Sequence, residues 1–422
     1  MQAIIIAAGE SSRFWPLANG IHKSQVFLMG KPIIYWTLKG LAENGIKDAI
    51  IVCSPDSSMQ TMLEQENDLG MRLSFVAQEK PLGTGNALWQ AREFVKGPFL
   101  AVWPNKVNAG ELVKQMRMKQ EETGAAVCLA GAKTETPWDY GMARFDGDRV
   151  VEIAENPERG KEPSRFKVIG AYMLEPDFFS YYEGLEQHHE ADFISALNAR
   201  IKNDPAAFVE LADDVPALKY PWELFSLRDI LFSSAYFKPE ISKTARVAKS
   251  AVLAGAVRVE DGAVVKEGVI IEGPCYIGKG CEIGYNSVLR GPVDLEEGVK
   301  TGAFCEMKNA VVQKNTHFHS GYIGDSLFGR DCRIGANFSA ANKRLDRGEI
   351  ACAVKGKKIM TGRVALGAIV GDNARIGIHA GTMPGACIGS DVVVGPGTIV
   401  FKNLEDKSAV YAKQDTVFKQ GD

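Results

Sequence analysis

The sequence predicts two folds in one chain: an α/β domain with a mostly parallel sheet, then a left-handed parallel β-helix of hexapeptide repeats. Two observations carry this. From Ile241 to Met307 an aliphatic residue stands at every sixth position, Thr301 excepted, and a compact residue follows each of them four places later. Neither the 3.6 period of a helix nor the 2.0 of a strand produces that pattern; a short strand plus a tight corner, repeated, does. Ahead of the repeat, residues 1–232 alternate apolar strand runs with helical spacing, the order of a sheet covered by helices. A linker, 233–240, precedes the solenoid, 241–402, and a tail, 403–422, follows it.

Taken in order, Ala3 to Ala7 reads as a short buried strand. Gly9-Glu10-Ser11-Ser12-Arg13 follows as a small-residue loop whose backbone N–H groups can cradle phosphates, with Arg13 and Lys23 supplying charge. Pro32 to Glu43 has helical spacing and ends near Gly45; Ala49 to Cys53 and Phe99 to Trp103 are the next strands. In the solenoid Val247, Leu253, Val259, Val265, Ile271, Ile277, Ile283, Leu289 and Leu295 occupy the inward slot. The count slips once, restarting three residues out of register at Tyr322, Phe328 and Ile334. Lys343 to Arg363 carries no repeat, and insertions in solenoids loop out on one face, often the binding face. Val364, Val370, Ile376, Thr382, Ile388, Val394 and Val400 then resume the count.

One three-sided coil takes eighteen residues, so Arg290 and Lys308 are expected on adjacent coils, about 4.8 Å apart. Like charges held side by side repel unless an anion lies between them. Glu272, one coil earlier in the same column, offers Arg290 a plain neutralising partner instead.

Composition sets bounds. A net charge of −3 over 422 residues argues against general nucleic-acid binding. No apolar run is long enough to span a bilayer, and the chain begins directly with a strand, so no membrane partner and a cytoplasmic location are expected. None of the eight cysteines forms C-x-x-C. Cys275, Cys281, Cys305 and Cys332 fall in the compact slots, where a thiol acts as a small hydrophobe, so neither disulfides nor zinc are expected.

Longer motifs add a family. Ala7-Ala8-Gly9-x-x-Ser12-Arg13-x-x-Pro16-Leu17, Lys23 and Gly30-Lys31-Pro32-Ile33 resemble the opening of sugar-1-phosphate nucleotidyltransferases, whose fold is Rossmann-like. Gln78-Glu79-Lys80-Pro81-Leu82-Gly83-Thr84-Gly85 resembles their base-reading loop, and Tyr140-Gly141, Glu155-x-Pro157, Gly170-Ala171-Tyr172 and Pro221-Trp222-Glu223-Leu224 follow in order. With the solenoid, nearly the whole chain resembles the bifunctional N-acetylglucosamine-1-phosphate uridylyltransferase/glucosamine-1-phosphate N-acetyltransferases and their archaeal-type relatives. That resemblance implies nucleotide binding by Ala8, Gly9, Gln78, Gly83 and Thr84, phosphate contacts by the catalytic Arg13 and Lys23, and sugar contacts by Gly141 and Glu155. It also implies Mg²⁺, held in the family by a Gly-Asp carboxylate where this chain has Pro104-Asn105. The second metal-binding Asp aligns near Ala217, with Asp213 and Asp214 close by; the family's Lys and Asn become Asn156 and Val168.

In the solenoid Leu289-Arg290, Gly302 to Lys308 and His319-Ser320-Gly321-Tyr322-Ile323-Gly324-Asp325 resemble the acetyltransferase site, with Asn342 at the family spacing. Arg290, Lys308 and Tyr322 would hold the phosphate of glucosamine-1-phosphate, His319 would be the general base, and Asn342 would orient sugar or amine. An imidazole suits that task because its ordinary pKa of about 6.5 leaves it largely neutral at pH 7. Departures are Gly291, Arg333 and Asn337. Lys355 and Lys357 in the insertion, with Lys402, would meet acetyl-CoA, and such solenoids commonly form homotrimers. Two alternatives stay open: a nucleotidyltransferase for another pair such as dTTP and glucose-1-phosphate, or a front domain that binds a nucleotide sugar without turnover on an active acyltransferase.

Overall fold

The computed structural model describes every residue except 213–215, 414 and 416–422. Two compact units emerge from the packing: Met1–Ser11 with Lys31–Ala217, and Ser12–Gly30 with Leu218–Asp422. The sequence groups 12–30 and 218–232 with the front domain; their packing groups them with the solenoid.

The first unit is built on a nine-stranded sheet among the described residues. Strands Gln2–Ala7, Asp48–Cys53, Arg72–Ala77 and Phe99–Val102 run parallel, with Ile5 opposite Ile51 and Val102. Phe166–Leu174 enters antiparallel between Phe99–Val102 and Cys128–Lys133, and Ala207–Glu210 closes the edge. Both faces of a parallel sheet must be covered, which is why its strands read as unbroken apolar runs rather than alternating ones. Ile33–Glu43 and Ala109–Thr123 cover one side: Ile34, Leu38, Leu112, Val113 and Met116 are buried with Ala3, Ile5 and Ile51. Gly83–Ala91 and Asp192–Asn203 bury Leu88, Leu197 and Ile201 with Ile4, Ile50 and Phe99.

The second unit is a parallel β-helix, consistent with the left-handed coil expected for hexapeptide repeats. Its two- and three-residue strands stack in register at a spacing of eighteen: Ile241 on Val259, Val247 on Val265, Leu253 on Ile271, Leu289 on Met307. The slot residues line one continuous apolar interior with Ala263, Val269, Cys275, Cys281, Val299 and Cys305. All eight cysteines of the chain are buried thiols, and burial pushes those of Cys275, Cys281, Cys305 and Cys332 up to about 12.

The slip in the count is a contraction of the coil. Thr301 stacks on Phe318 and Leu295 on Val312, seventeen apart; Met307 stacks on Ile323 and Phe318 on Ile334, sixteen apart. On the third face, formed by the stacked segments Ile270–Glu272, Val288–Arg290, Glu306–Lys308 and Tyr322–Gly324, the buried residue is therefore Ile323, and Tyr322, assigned to the slot by counting, points outward beside Glu306. Phe318, Phe328 and Phe338 fill the shortened coils, with ring centroids 4.9 and 6.1 Å apart. Val364 is likewise exposed; the interior resumes at Ala368 and Val370.

The segment without repeats is a β-hairpin, Ile350–Val354 against Lys357–Arg363. Its turn residues Lys355 and Gly356 both have positive φ, 49° and 72°, as a two-residue hairpin turn matching strand twist requires. Leu366 N donates to Asn342 O at 2.9 Å, so the excursion leaves and rejoins the solenoid at neighbouring points.

Candidate functional sites

In the first unit Gln78 is buried and its amide donates to Gly83 O (3.1 Å) and Asn86 Oδ1 (3.0 Å), bracing the 78–83 loop on the helix that carries Thr84. Ala8 and Gly9 follow the first strand, and Gly9 has open space where a side chain would stand. Gly141 pairs with Glu155 across a β-ladder, where a Cβ would come within 2.6 Å of Glu155 Oε2.

Asn105 differs from what a metal ligand would show. It is buried just past Phe99–Val102, and its Nδ2 donates to Pro216 O at 2.7 Å. Thr37 Oγ1 likewise donates to Pro104 O at 2.9 Å. Pro104-Asn105 thus knits backbone together. Among the described residues no group of three or more His, Cys, Asp or Glu side chains is placed to hold a metal; Asp213 and Asp214 lie outside them. The described residues do not fit a carboxylate-held Mg²⁺.

Arg13 and Lys23 belong to the second unit. Burial, with Arg13 and Lys219 nearby, lowers the Lys23 ammonium to about 8, against the pull of Glu223. Glu223 is itself pushed up by burial. Backbone of the same 12–30 segment is gripped by acids: Met29 N donates to Asp294 Oδ2 (3.0 Å) and Gly30 N to both oxygens of Glu296 (3.1 Å). Both carboxyls are buried, which raises Asp294 to about 7 and Glu296 well above its ordinary range.

The third face carries the densest cluster. Arg290 and Lys308 are Cα partners on adjacent coils, as their spacing predicts. Arg290 pairs with Glu306 rather than with Glu272, although Glu272 is its neighbour in the column. Lys308 Nζ stands 3.9 Å from Asp325 Oδ2. Asn342 Nδ2 donates to Asp325 Oδ2 (2.5 Å) and lies 3.1 Å from the Tyr322 hydroxyl. Burial, with Asp325 and Glu306 nearby, raises the Tyr322 phenol, so it keeps its proton at neutral pH. Gly324 faces Lys308 across the ladder; a Cβ there would strike the Tyr322 hydroxyl and come within 2.8 Å of Asn342 Nδ2. Four of the residues singled out by sequence thus gather in one place. Glu306 and Asp325 complete the cluster; counting gave them no role, though both sit beside the basic positions in the same motifs.

His319 stands just ahead of Tyr322 in the chain. It lies at the corner between His317–Phe318 and Gly321–Gly324, on the margin of a groove of about 780 Å³ over the second face. A basic column runs through the groove: Lys300, His317, Arg333 and Arg375 pair in succession on adjacent coils. Burial, then Arg333 and Lys300, lower the His317 imidazole. The exposed Lys355 and Lys357 lie at and beside the turn of the hairpin, and Asn403, next to Lys402 in the chain, donates from Nδ2 to Ala353 O at 2.9 Å.

A sheet of nucleotidyl transferase type followed by a hexapeptide solenoid with a basic, phenolic and amide cluster defines a transferase with two chemical parts. The family model for nucleotidyl transferases matches residues 2–216. Over its full length the chain is 29% identical to "Bifunctional protein GlmU" of Methanococcus vannielii, covering 100% of both, and 30% identical to that of Methanococcus maripaludis, covering 99% of this chain and 98% of the relative. It is 30% identical to "Bifunctional sugar-1-phosphate nucleotidylyltransferase/acetyltransferase" of Sulfurisphaera tokodaii, covering 96% and 98%. The chain belongs to the nucleotidyl transferase family and, over its whole length, to the archaeal-type bifunctional GlmU family.

Proposed function

We propose that this transferase serves UDP-N-acetylglucosamine biosynthesis by two successive transfers. The solenoid moves an acetyl group from acetyl-CoA to glucosamine-1-phosphate; the front domain then joins N-acetylglucosamine-1-phosphate to UTP. The observation that carries the first step is the cluster itself: Arg290 and Lys308 in register, with Tyr322 and Asn342 beside them. Each cation already has a carboxylate near it; a phosphate with two charges can displace the partly exposed Glu306, while Asp325 stays held by Asn309 and Asn342. The Tyr322 hydroxyl accepts from Asn342 and so keeps its own proton for a phosphate oxygen. With the phosphate held, the sugar amine attacks the thioester carbonyl, the C–S bond breaks, the thiol leaves, and His319 takes the amine proton. Lys355, Lys357 and Lys402 are exposed, which suits the phosphates of the donor.

In the second step the sugar phosphate attacks the α-phosphorus of UTP and pyrophosphate leaves. Ala8, Gly9, Gln78, Gly83 and Thr84 would hold the nucleotide, and Gly141 and Glu155 the sugar; the family resemblance assigns the phosphates to Arg13 and Lys23. No helix among the described residues is long and apolar enough to cross a membrane, in line with a cytoplasmic enzyme acting on small sugar phosphates. A homotrimer through the β-helix is supported by the groove on the second face, which leaves Ile378 and Val393 exposed; sedimentation velocity would show a single species of about three chain masses.

The test is thiol release from acetyl-CoA with glucosamine-1-phosphate. The wild type should release CoA stoichiometrically with N-acetylated product, and His319→Ala should not. Equal release by both would defeat the assignment of His319, and no release by the wild type would defeat the reaction.

A further inference from the structure

Two side-chain amides and an ammonium converge on Asp325. Its Oδ2 accepts from Asn342 Nδ2 at 2.5 Å and lies 3.9 Å from Lys308 Nζ; its Oδ1 accepts from Asn309 Nδ2 at 2.6 Å. The side chain is almost wholly buried, and its backbone is pinned on both sides: Asp325 N donates to Lys308 O and Gly367 N donates to Asp325 O, each at 2.7 Å.

The support continues inward. Asn309 Oδ1 accepts from Arg228 Nη2 at 2.6 Å. Arg228 is fully buried on the helix Leu224–Ser233, and it also donates to Pro292 O (3.0 Å), Ala310 O (3.3 Å) and Asp229 Oδ1 (2.7 Å). A buried guanidinium so fully bonded is a rigid anchor, because every movement breaks charge-assisted bonds away from water. Arg363, at the end of the insertion hairpin, lies over the Phe225 ring at 4.8 Å and adds positive potential near Asp229 and Asp325.

A carboxylate beside two cations that await a phosphate weakens phosphate binding by repulsion. Its presence has to be offset by what it holds in place. We propose that Asp325 is a positioning residue for acyl transfer: it fixes the Asn342 amide against the Tyr322 hydroxyl and steadies Lys308, and is itself fixed through Asn309 by Arg228. The proposal rests on reading this cluster as the acceptor site. It takes the site's order back to a helix that never touches substrate.

Asp325→Asn separates the roles. Asparagine tolerates the left-handed backbone at this position (φ 50°) but presents one acceptor oxygen in place of two and no charge. With the full-length protein and thiol release as readout, the KM for glucosamine-1-phosphate should rise about tenfold, the size expected for losing one charge-assisted bond. The KM for acetyl-CoA should stay close to wild type, and the thermal midpoint should fall only modestly, as expected for a single lost charge-assisted bond. Asn309→Gly, which suits its own left-handed backbone (φ 49°), should shift acceptor KM the same way by about threefold. If Asp325→Asn fails to fold, Asn309→Gly decides alone, and an unchanged acceptor KM there overturns the proposal. Equal loss for both substrates, no change, or a lower acceptor KM in Asp325→Asn also overturns it. A wild type that does not acetylate glucosamine-1-phosphate overturns the acceptor-site reading and this proposal with it.

Discussion

Asn105 and Asp325 make an instructive pair. Both are buried polar residues just past the end of a strand, and both come from motifs the family uses for chemistry. Asn105 spends its amide on the carbonyl of Pro216, closing the strand end upon itself. Asp325 gathers two side-chain amides and faces an ammonium, and the groups it gathers stand at the surface with hydrogen-bonding capacity to spare. A polar residue that satisfies backbone stabilises a fold; one that orders other polar side chains prepares a site. By that measure the solenoid is organised for ligand chemistry. In the first unit the Pro104-Asn105 corner serves as scaffold.

Perturbing the two regions should widen or erase this contrast. The largest effect is expected from His319→Ala, which should lower acetyl transfer by roughly 10²–10⁴-fold, the usual worth of a general base, while leaving pyrophosphate release from UTP and N-acetylglucosamine-1-phosphate unaltered. Next, Arg290→Ala and Lys308→Ala should each raise the acceptor KM by about tenfold or more with the acetyl-CoA KM held, read in the same assay.

Asn105→Asp probes the other region. A carboxylate facing the Pro216 carbonyl loses the hydrogen bond and gains repulsion, so stability should fall by about 1–3 kcal/mol without metal. Added Mg²⁺ should leave the melting temperature of this variant unrestored, because among the described residues no group of carboxylates is placed to share a metal with it; recovery of stability and of pyrophosphate release on adding Mg²⁺ would contradict the scaffold reading.

The smaller effects concern pH. Lys23, lowered to about 8, is charged below that value and neutral above it, so UTP affinity should fall as pH rises through about 8, measured by calorimetry. In Lys23→Arg this fall should vanish, since a guanidinium stays charged. Asp294 is raised to about 7 by burial, above its unfolded value. The stability it contributes is therefore present in full at low pH and is lost as pH climbs from the unfolded value towards 7. Asp294→Asn should flatten that loss and raise the melting temperature by about 2–4 °C at pH 8, since about 1 kcal/mol moves a domain of this size that far.

Much of this was readable beforehand, and the failures have physical causes. A period of six needs only the inward residues, so the solenoid and the pairing of Arg290 with Lys308 followed from counting. The contraction to seventeen and sixteen residues did not, because a residue lost at a corner leaves the strand pattern intact on either side. Tyr322 and Ile323 are adjacent and both apolar enough for the interior; only stacking on Met307 decides between them. The hairpin had a signal, Lys355-Gly356 between two strand-forming runs, which was masked by the lysines around it. The anchoring of Asp325 by Arg228 joins residues some hundred positions apart, and no local pattern announces such a pair.

The central claim is that the third face of the solenoid recognises a phosphorylated amine. Comparing kcat/KM for thiol release with glucosamine-1-phosphate against unphosphorylated glucosamine tests it most directly. The account predicts a preference of about a hundredfold or more for the phosphorylated acceptor, collapsing to less than about tenfold when Arg290 and Lys308 are both replaced by alanine. Equal use of the two amines by the wild type, or a preference that survives the double replacement, would contradict it.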